Sequence, residues 1–306
     1  MVNVDGMGFG PSERSIPEIE VLICKAARGI EKEESRVIKK KAPESLRKRC
    51  RPQHCPCSTA HGNSADNLVP MELALKIASK IRANERFSVY VVIPMWPEGV
   101  PTTWSVQEIL YWQGQTMEMV YKIVTDALEE AGLTDQYHPQ DYLNFYCLGK
   151  REPLTTKRSY KVNRTSDSRI LALSQKFRRF MIYVHAKGMI VDDEFVIMGS
   201  ANINQRSMDG SRDTEIAMGA YQPHHTLGSS KSLHPHGQVY GYRMSLWAEH
   251  LDGIEKTFED PQSLECTKRV CEIAKQNWKH FIAEEHREMK GHLMQYPVQS
   301  VFNTWS

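Results

Sequence analysis

The apolar positions change character along the chain, and the change marks where folded structure is expected. From residue 66 onward the pattern is that of alternating helices and strands. Met71, Leu73, Leu75, Ile77, Ala78 and Ile81 recur close to helical spacing and predict a helix over 71–81. Phe87–Trp96 is rich in β-branched and aromatic residues, which predicts a buried strand that Pro94 cuts short. Ser105 and Glu108 have the spacing of a capping box, in which hydroxyl and carboxylate satisfy the free amides at a helix start. Behind them Val106, Leu110, Met117, Tyr121, Val124 and Leu128 form one apolar face, and Gly132 predicts its end. Leu143–Leu148 reads as a strand, and 181–199 holds two β-rich runs around an Asp192-Asp193-Glu194 turn. The stretch 239–289 is helical in pattern. Strands interleaved with helices predict an α/β sandwich, a mixed β-sheet flanked by helices. No internal repeat of domain size is present.

Residues 1–64 read differently. Only Ile19–Ile23 suggests a strand, and nothing around it offers core partners. This stretch holds 12 Lys+Arg against 8 Asp+Glu, with Lys39–Lys41 and Arg47–Arg51 as its basic clusters. It is expected to be a mostly disordered basic segment. Cys50, His54, Cys55, Cys57 and His61 match no paired zinc-ligand spacing, so they are read as free side chains and no metal is assigned.

Composition narrows the class without naming it. With 306 residues, 41% hydrophobic and 25% charged, the chain has enough material for a sizeable core and is unlike a rod or a wholly disordered protein. A net charge of +2 gives no reason to expect nucleic acid as a partner. No apolar run approaches the roughly 18 residues of a membrane-spanning helix, and the first ten residues lack a secretory pattern. Seven cysteines, an odd number without framework spacing, suit a reducing compartment, so a cytoplasmic location is expected.

Candidate chemistry is concentrated in one segment. In an extended strand alternate side chains share a face, so His185 and Lys187 are expected to project together. An imidazole and an ammonium side by side call for an anion, and a phosphate diester fits. The lysine would hold non-bridging oxygens, while the histidine could transfer protons or attack phosphorus. Asp192 follows, then Gly199, Ser200 and Asn202, where glycine permits close backbone approach and the hydroxyl and amide offer further donors. Glu215 could orient a ring nitrogen of His185. A short motif alone carries little information, but here four polar features coincide on a β-rich core. The histidines at 224, 225, 234 and 236 are read as loop residues near the site's mouth. Trp96 and Trp104 are read as core or rim packing.

The pattern His-x-Lys-x4-Asp-x6-Gly-Ser-x-Asn, met in full by His185, Lys187, Asp192, Gly199, Ser200 and Asn202, resembles the signature of the phospholipase D superfamily. The whole stretch 182–226 is similar to the second catalytic motif of plant phospholipases D, and Met208–Arg212 leans toward their β/γ type. The resemblance runs from about Ser64 to Val298 and includes 91–102, 111–122 and 237–251. It implies a phospholipase D-type sandwich, 65–298 forming one half of the usual two-lobed catalytic core and 299–306 a divergent tail. It also implies hydrolysis of phosphatidylcholine and related lipids to phosphatidate and a free head group. Two histidines then act on one phosphate: the first motif's attacks phosphorus, and the second motif's protonates the leaving alcohol and later activates water. By resemblance His185 is that acid/base group, Lys187 and Asn202 hold phosphoryl oxygens, and Asp192 and Glu215 fix geometry and charge.

The family pattern is incomplete in this sequence. It contains one His-x-Lys-x4-Asp, where plant phospholipases D have two, and residues 1–64 show no calcium-binding C2 domain. Calcium is thus implied by the family, though without its usual module. The expected partners are phospholipid at a membrane surface, met by peripheral association, and a second copy or complementing half to supply the other histidine. The alternatives are an inactive fragment and a homodimeric single-motif phosphodiesterase or nuclease.

Overall fold

The computed structural model describes residues 68–95, 102–153, 173–208, 213–222 and 236–297, together with the backbone of 20–24. Helix α1 (Val69–Arg82) buries Ala74, Ile77, Ala78 and Ile81, the i, i+3, i+4, i+7 stripe expected of one core-facing side. It packs on α2 (Trp104–Ala131), which ends at Gly132 with φ 66°, a left-handed cap that glycine adopts without strain. The predicted capping box is not formed. Thr103 is the residue at the helix start, and its side chain makes no capping bond. Ser105 therefore lies inside the first turn, past the position where a hydroxyl can reach the free amides.

Among the described residues, eight strands form one mixed sheet in the order β4-β3-β2-β1-β5-β6-β7, with β8 (Leu293–Gln295) paired to β3. They are β1 (Glu20–Cys24), β2 (Ser88–Val92), β3 (Leu143–Arg151), β4 (Arg179–Ile182), β5 (Lys187–Val191), β6 (Phe195–Gly199) and β7 (Ala217–Tyr221). The pairs β2–β3 and β1–β5 are parallel and the rest antiparallel. The expected mixed sheet flanked by helices is what the structure shows. One expectation for the N-terminal stretch needs correcting: Glu20–Cys24 has partners, and they are central ones, β2 and β5. Those pairings span the length of a domain, so local pattern could not reveal them. The rest of 1–64 and the tail 299–306 lie outside the described residues.

Two helical layers sandwich the sheet. Val89, Val91, Ile93, Leu143, Phe145 and Cys147 pack against α1 and α2. Tyr90, Val92, Tyr146, Leu148 and Ile190 pack on the other side, against α3 (Gln238–Leu251) and α4 (Leu264–Ile282). Covered on both faces, β2 is buried at every position, which explains its unbroken run of β-branched and aromatic residues from Val89 to Val92.

The hairpin β5–β6 turns through Asp192 and Asp193, at φ 57° and 54°. Positive φ at both central residues is the mark of a type I′ turn, and the Glu194 amide donates to the Val191 carbonyl at 3.1 Å. Asp193 is wholly buried and paired with an equally buried Arg243 of α3. Arg243 Nε and Nη2 donate to the two carboxylate oxygens at 2.7–3.0 Å, and Nη1 donates to the Phe258 carbonyl at 3.0 Å. The guanidinium also lies 4.8 Å from the Trp247 ring centre. Every polar end of this pair is satisfied, so the turn is tied to the helical layer. Removing one partner strands a buried charge, at a cost of about 3–5 kcal/mol. Denaturant unfolding of Arg243→Met should show a loss of that size, partly recovered when Asp193→Asn is added. A loss under about 1 kcal/mol would contradict the assigned role.

Candidate active site

The site is built on the opposite end of the hairpin from its turn. Lys187 opens β5, directly across from Gly199 at the end of β6, which lies across from Ala217 of β7. Since Met189 and Val191 pack on the α1/α2 side and Ile190 on the α3/α4 side, alternation places Lys187 on the α1/α2 side. His185 is not in the strand. Residues 183–186 form the connection between β4 and β5, outside the ladder that pairs Lys187 with Gly199. Val184 holds this segment down, buried among the α3/α4 core residues, while Tyr183 and His185 on either side of it stay exposed. The His185 ring lies 5.8 Å from that of Tyr183. The Lys187 ammonium donates to the backbone carbonyl of His185 at 2.5 Å, which ties the two residues together.

Gly199 is required by contact. A Cβ there would run into the Ile216 carbonyl and stand 2.7 Å from the Ala217 Cα. That close approach brings the Ser200 turn against the start of β7. The Ser200 amide donates to the Ile216 carbonyl at 2.9 Å, and the Ser200 hydroxyl accepts from the Ile216 amide at 3.0 Å. The hydroxyl's proton goes to Glu215 Oε2 at 2.6 Å, and Ser207 Oγ donates to Glu215 Oε1 at 2.5 Å.

Two sequence expectations change here. Glu215 spends its two oxygens on serines rather than on a ring nitrogen of His185. Ser200, with its one proton committed to Glu215, has none left for a phosphate oxygen. Both are positioning residues that clamp the loop after β6. Asn202 is different: its amide oxygen is buried without a partner, a costly state that a ligand or an amide rotation would relieve.

Asp192 also departs from expectation. Five residue steps along the strand separate it from Lys187, roughly 16 Å at 3.3 Å per step. It forms the turn and does not reach an anion held by Lys187. Sequence reasoning missed its neighbour Asp193, whose burial has no local signal, and missed Ser207 and Asn204. Asn204 Oδ1 accepts from the Ser207 amide at 2.8 Å and helps to hold the clamp.

Among the described residues, no three His, Cys, Asp or Glu side chains gather as metal ligands, and no step is assigned to calcium. The buried thiols make poor nucleophiles; burial pushes Cys266 up to about 12. No helix of the described residues is long and apolar enough to cross a membrane.

The clamp makes a stability prediction. Ser200→Ala removes a hydrogen bond to a carboxylate, a loss of about 1.5–3 kcal/mol. Because Ser200 and Glu215 act on each other, Ser200→Ala and Glu215→Gln together should cost less than their separate losses added, as read from denaturant midpoints. Strict additivity would contradict the clamp.

Comparison with known proteins identifies a family. The phospholipase D family model matches residues 53–302. Phospholipase D beta 2 of Arabidopsis thaliana is 59% identical over 236 residues, covering 77% of this chain and 25% of that protein. Phospholipase D delta of the same plant is 60% identical over 235 residues, 77% of this chain and 26% of its own length. Phospholipase D alpha 1 of Oryza sativa subsp. japonica is 50% identical over 233 residues, 76% and 28%. The chain thus spans about a quarter of the length of these relatives. On the family match and on the arrangement of His185, Lys187, Gly199 and Asn202, the chain belongs to the phospholipase D family.

Proposed function

We propose that this chain supplies the acid/base side of a phosphodiester hydrolysis acting on phosphatidylcholine and related phospholipids. The observation that carries the proposal is the grouping of His185 and Lys187 at one end of β5, opposite Gly199, three residues before Asn202 with its unpartnered amide oxygen. The Lys187 ammonium would exchange its carbonyl partner for the non-bridging oxygens of the diester. Charge-assisted bonds of that kind are about twice as strong as neutral ones. Asn202 would turn its NH₂ to the same group.

In the first step the imidazole of a second histidine attacks phosphorus while His185 protonates the departing head-group oxygen. The P–O bond breaks as the P–N bond forms. In the second step His185, now neutral, takes a proton from water as the water oxygen displaces the attacking histidine, and phosphatidate leaves. The cycle returns both imidazoles to their starting states and needs no oxidant or metal. The second histidine comes from outside the single His-x-Lys-x4-Asp motif of this sequence, from another copy of the chain or a complementing segment. Access to lipid is from a membrane surface, by peripheral association on the cytoplasmic side.

Release of choline from phosphatidylcholine vesicles tests the reading. His185→Ala should lower the rate at least 10²–10⁴-fold, the range for a general acid or base. If a second copy supplies the other histidine, specific activity should rise with protein concentration. Unchanged turnover in His185→Ala, or cleavage of a nucleic-acid diester with none of phosphatidylcholine, would overturn the proposal.

A further inference from the structure

Strand β7 ends the sheet, and its outer edge has no strand beside it among the described residues. The bonds to β6 reveal which backbone groups are left over. The Ser200 amide donates to Ile216, and the Gln222 amide donates to Glu194. Even-numbered residues of this strand therefore bond inward, and Ala217, Gly219 and Tyr221 present their amides and carbonyls outward. The side chains are also unusual for an edge. Ile216, Met218 and Tyr221 are 77%, 76% and 61% exposed. From Ile216 to Gln222 there is no charge and no proline. Sheet edges are ordinarily blunted by charges, proline or a bulge, because an open ladder recruits another strand.

We propose that β7 is the seam of a symmetric dimer, in which it pairs antiparallel with β7 of a second copy about a two-fold axis through Gly219. Three features on the strand favour a second copy. The axis at Gly219 uses all five residues. It sets the outward-facing groups of Ala217 and Tyr221 opposite each other and Gly219 opposite Gly219, so the free donors and acceptors are matched. It also pairs large with small: Met218 meets Ala220, and Tyr221 meets Ala217. A bilayer is a poorer cover, because outward amides and carbonyls would lose water without gaining partners.

This seam does not assemble the active site. Two copies of β5 would be separated by five strand spacings of about 4.8 Å each, which leaves the two Lys187 residues more than about 20 Å apart. The dimer therefore stands or falls independently of the proposed chemistry. A five-residue seam is small beside the roughly 1,200–2,000 Å² of a standard interface, so association should be reversible and concentration-dependent.

Light scattering on the whole chain, from low micromolar to its highest soluble concentration, is the direct test. The mass should climb from 35.2 kDa toward twice that value. Gly219→Pro removes an outward amide while leaving the β6 ladder intact, and should remain at the monomer mass with an unchanged circular dichroism spectrum and melt. The register has its own check. Met218 and Ala220 face each other across the axis as a close, non-hydrogen-bonded pair. Mixing Met218→Cys with Ala220→Cys chains under mild oxidation should give a disulfide-linked dimer well above the level of either variant alone or of the unmodified chain. A monomer at every concentration, a Gly219→Pro chain that still doubles its mass, or no excess cross-linking in the mixture would overturn the proposal. So would a monomeric chain that floats with phosphatidylcholine vesicles and loses that property in Met218→Lys, which would assign the edge to lipid.

Discussion

The registration of the β5–β6 hairpin is the constraint on which the rest of this structure depends. A slip of one residue would reverse every side chain of β5, turning Lys187 to the other side of the sheet and moving Gly199 off the one position where Ile216 and Ala217 can approach. Two devices at opposite ends of the hairpin prevent that slip. At the turn, Asp193 is anchored to Arg243 in a water-free ion pair whose hydrogen bonds are all made. At the open end, Gly199 admits the backbone of β7 and Ser200 locks to Glu215. The candidate site residues are themselves exposed or half-exposed, and their placement comes from buried or clamped neighbours.

This division of labour explains an apparent paradox in the family motif. Its aspartate, Asp192, is at the wrong end of the strand to act on a phosphate bound by Lys187. Its place in the motif is intelligible as turn chemistry, since Asp is one of the few residues that tolerates positive φ at modest cost. Motif spacing measures a strand length here, from the anion-binding end to the turn, as much as it measures a set of catalytic groups.

Much of the fold was legible in the sequence because each visible element carries its own period. The Ala74–Ile81 stripe, the Gly132 stop, the apolar run of β2 and the Asp192-Asp193 turn each have a local physical cause. The unread parts depend on partners distant in sequence. Glu20–Cys24 is short, and only pairing with β2 and β5 gives it meaning. The capping box failed because Thr103 is the cap residue, which puts Ser105 inside the first turn. At the site, residue type and spacing single out His185, Lys187, Gly199 and Asn202 as candidates. The roles of Ser200 and Glu215 could not, because a hydroxyl beside a phosphate site looks the same in sequence whether its proton serves substrate or scaffold.

The central claim is that His185, Lys187 and Asn202 converge on one anion. It is tested most directly by following the His185 ring carbon signals in NMR while inorganic phosphate is added to the whole chain. The account predicts a saturable shift at His185 that is lost in Lys187→Ala and weakened in Asn202→Ala, with the signals of His138 and His280 unmoved. A His185 signal that ignores phosphate, or that shifts equally well without Lys187, would contradict it.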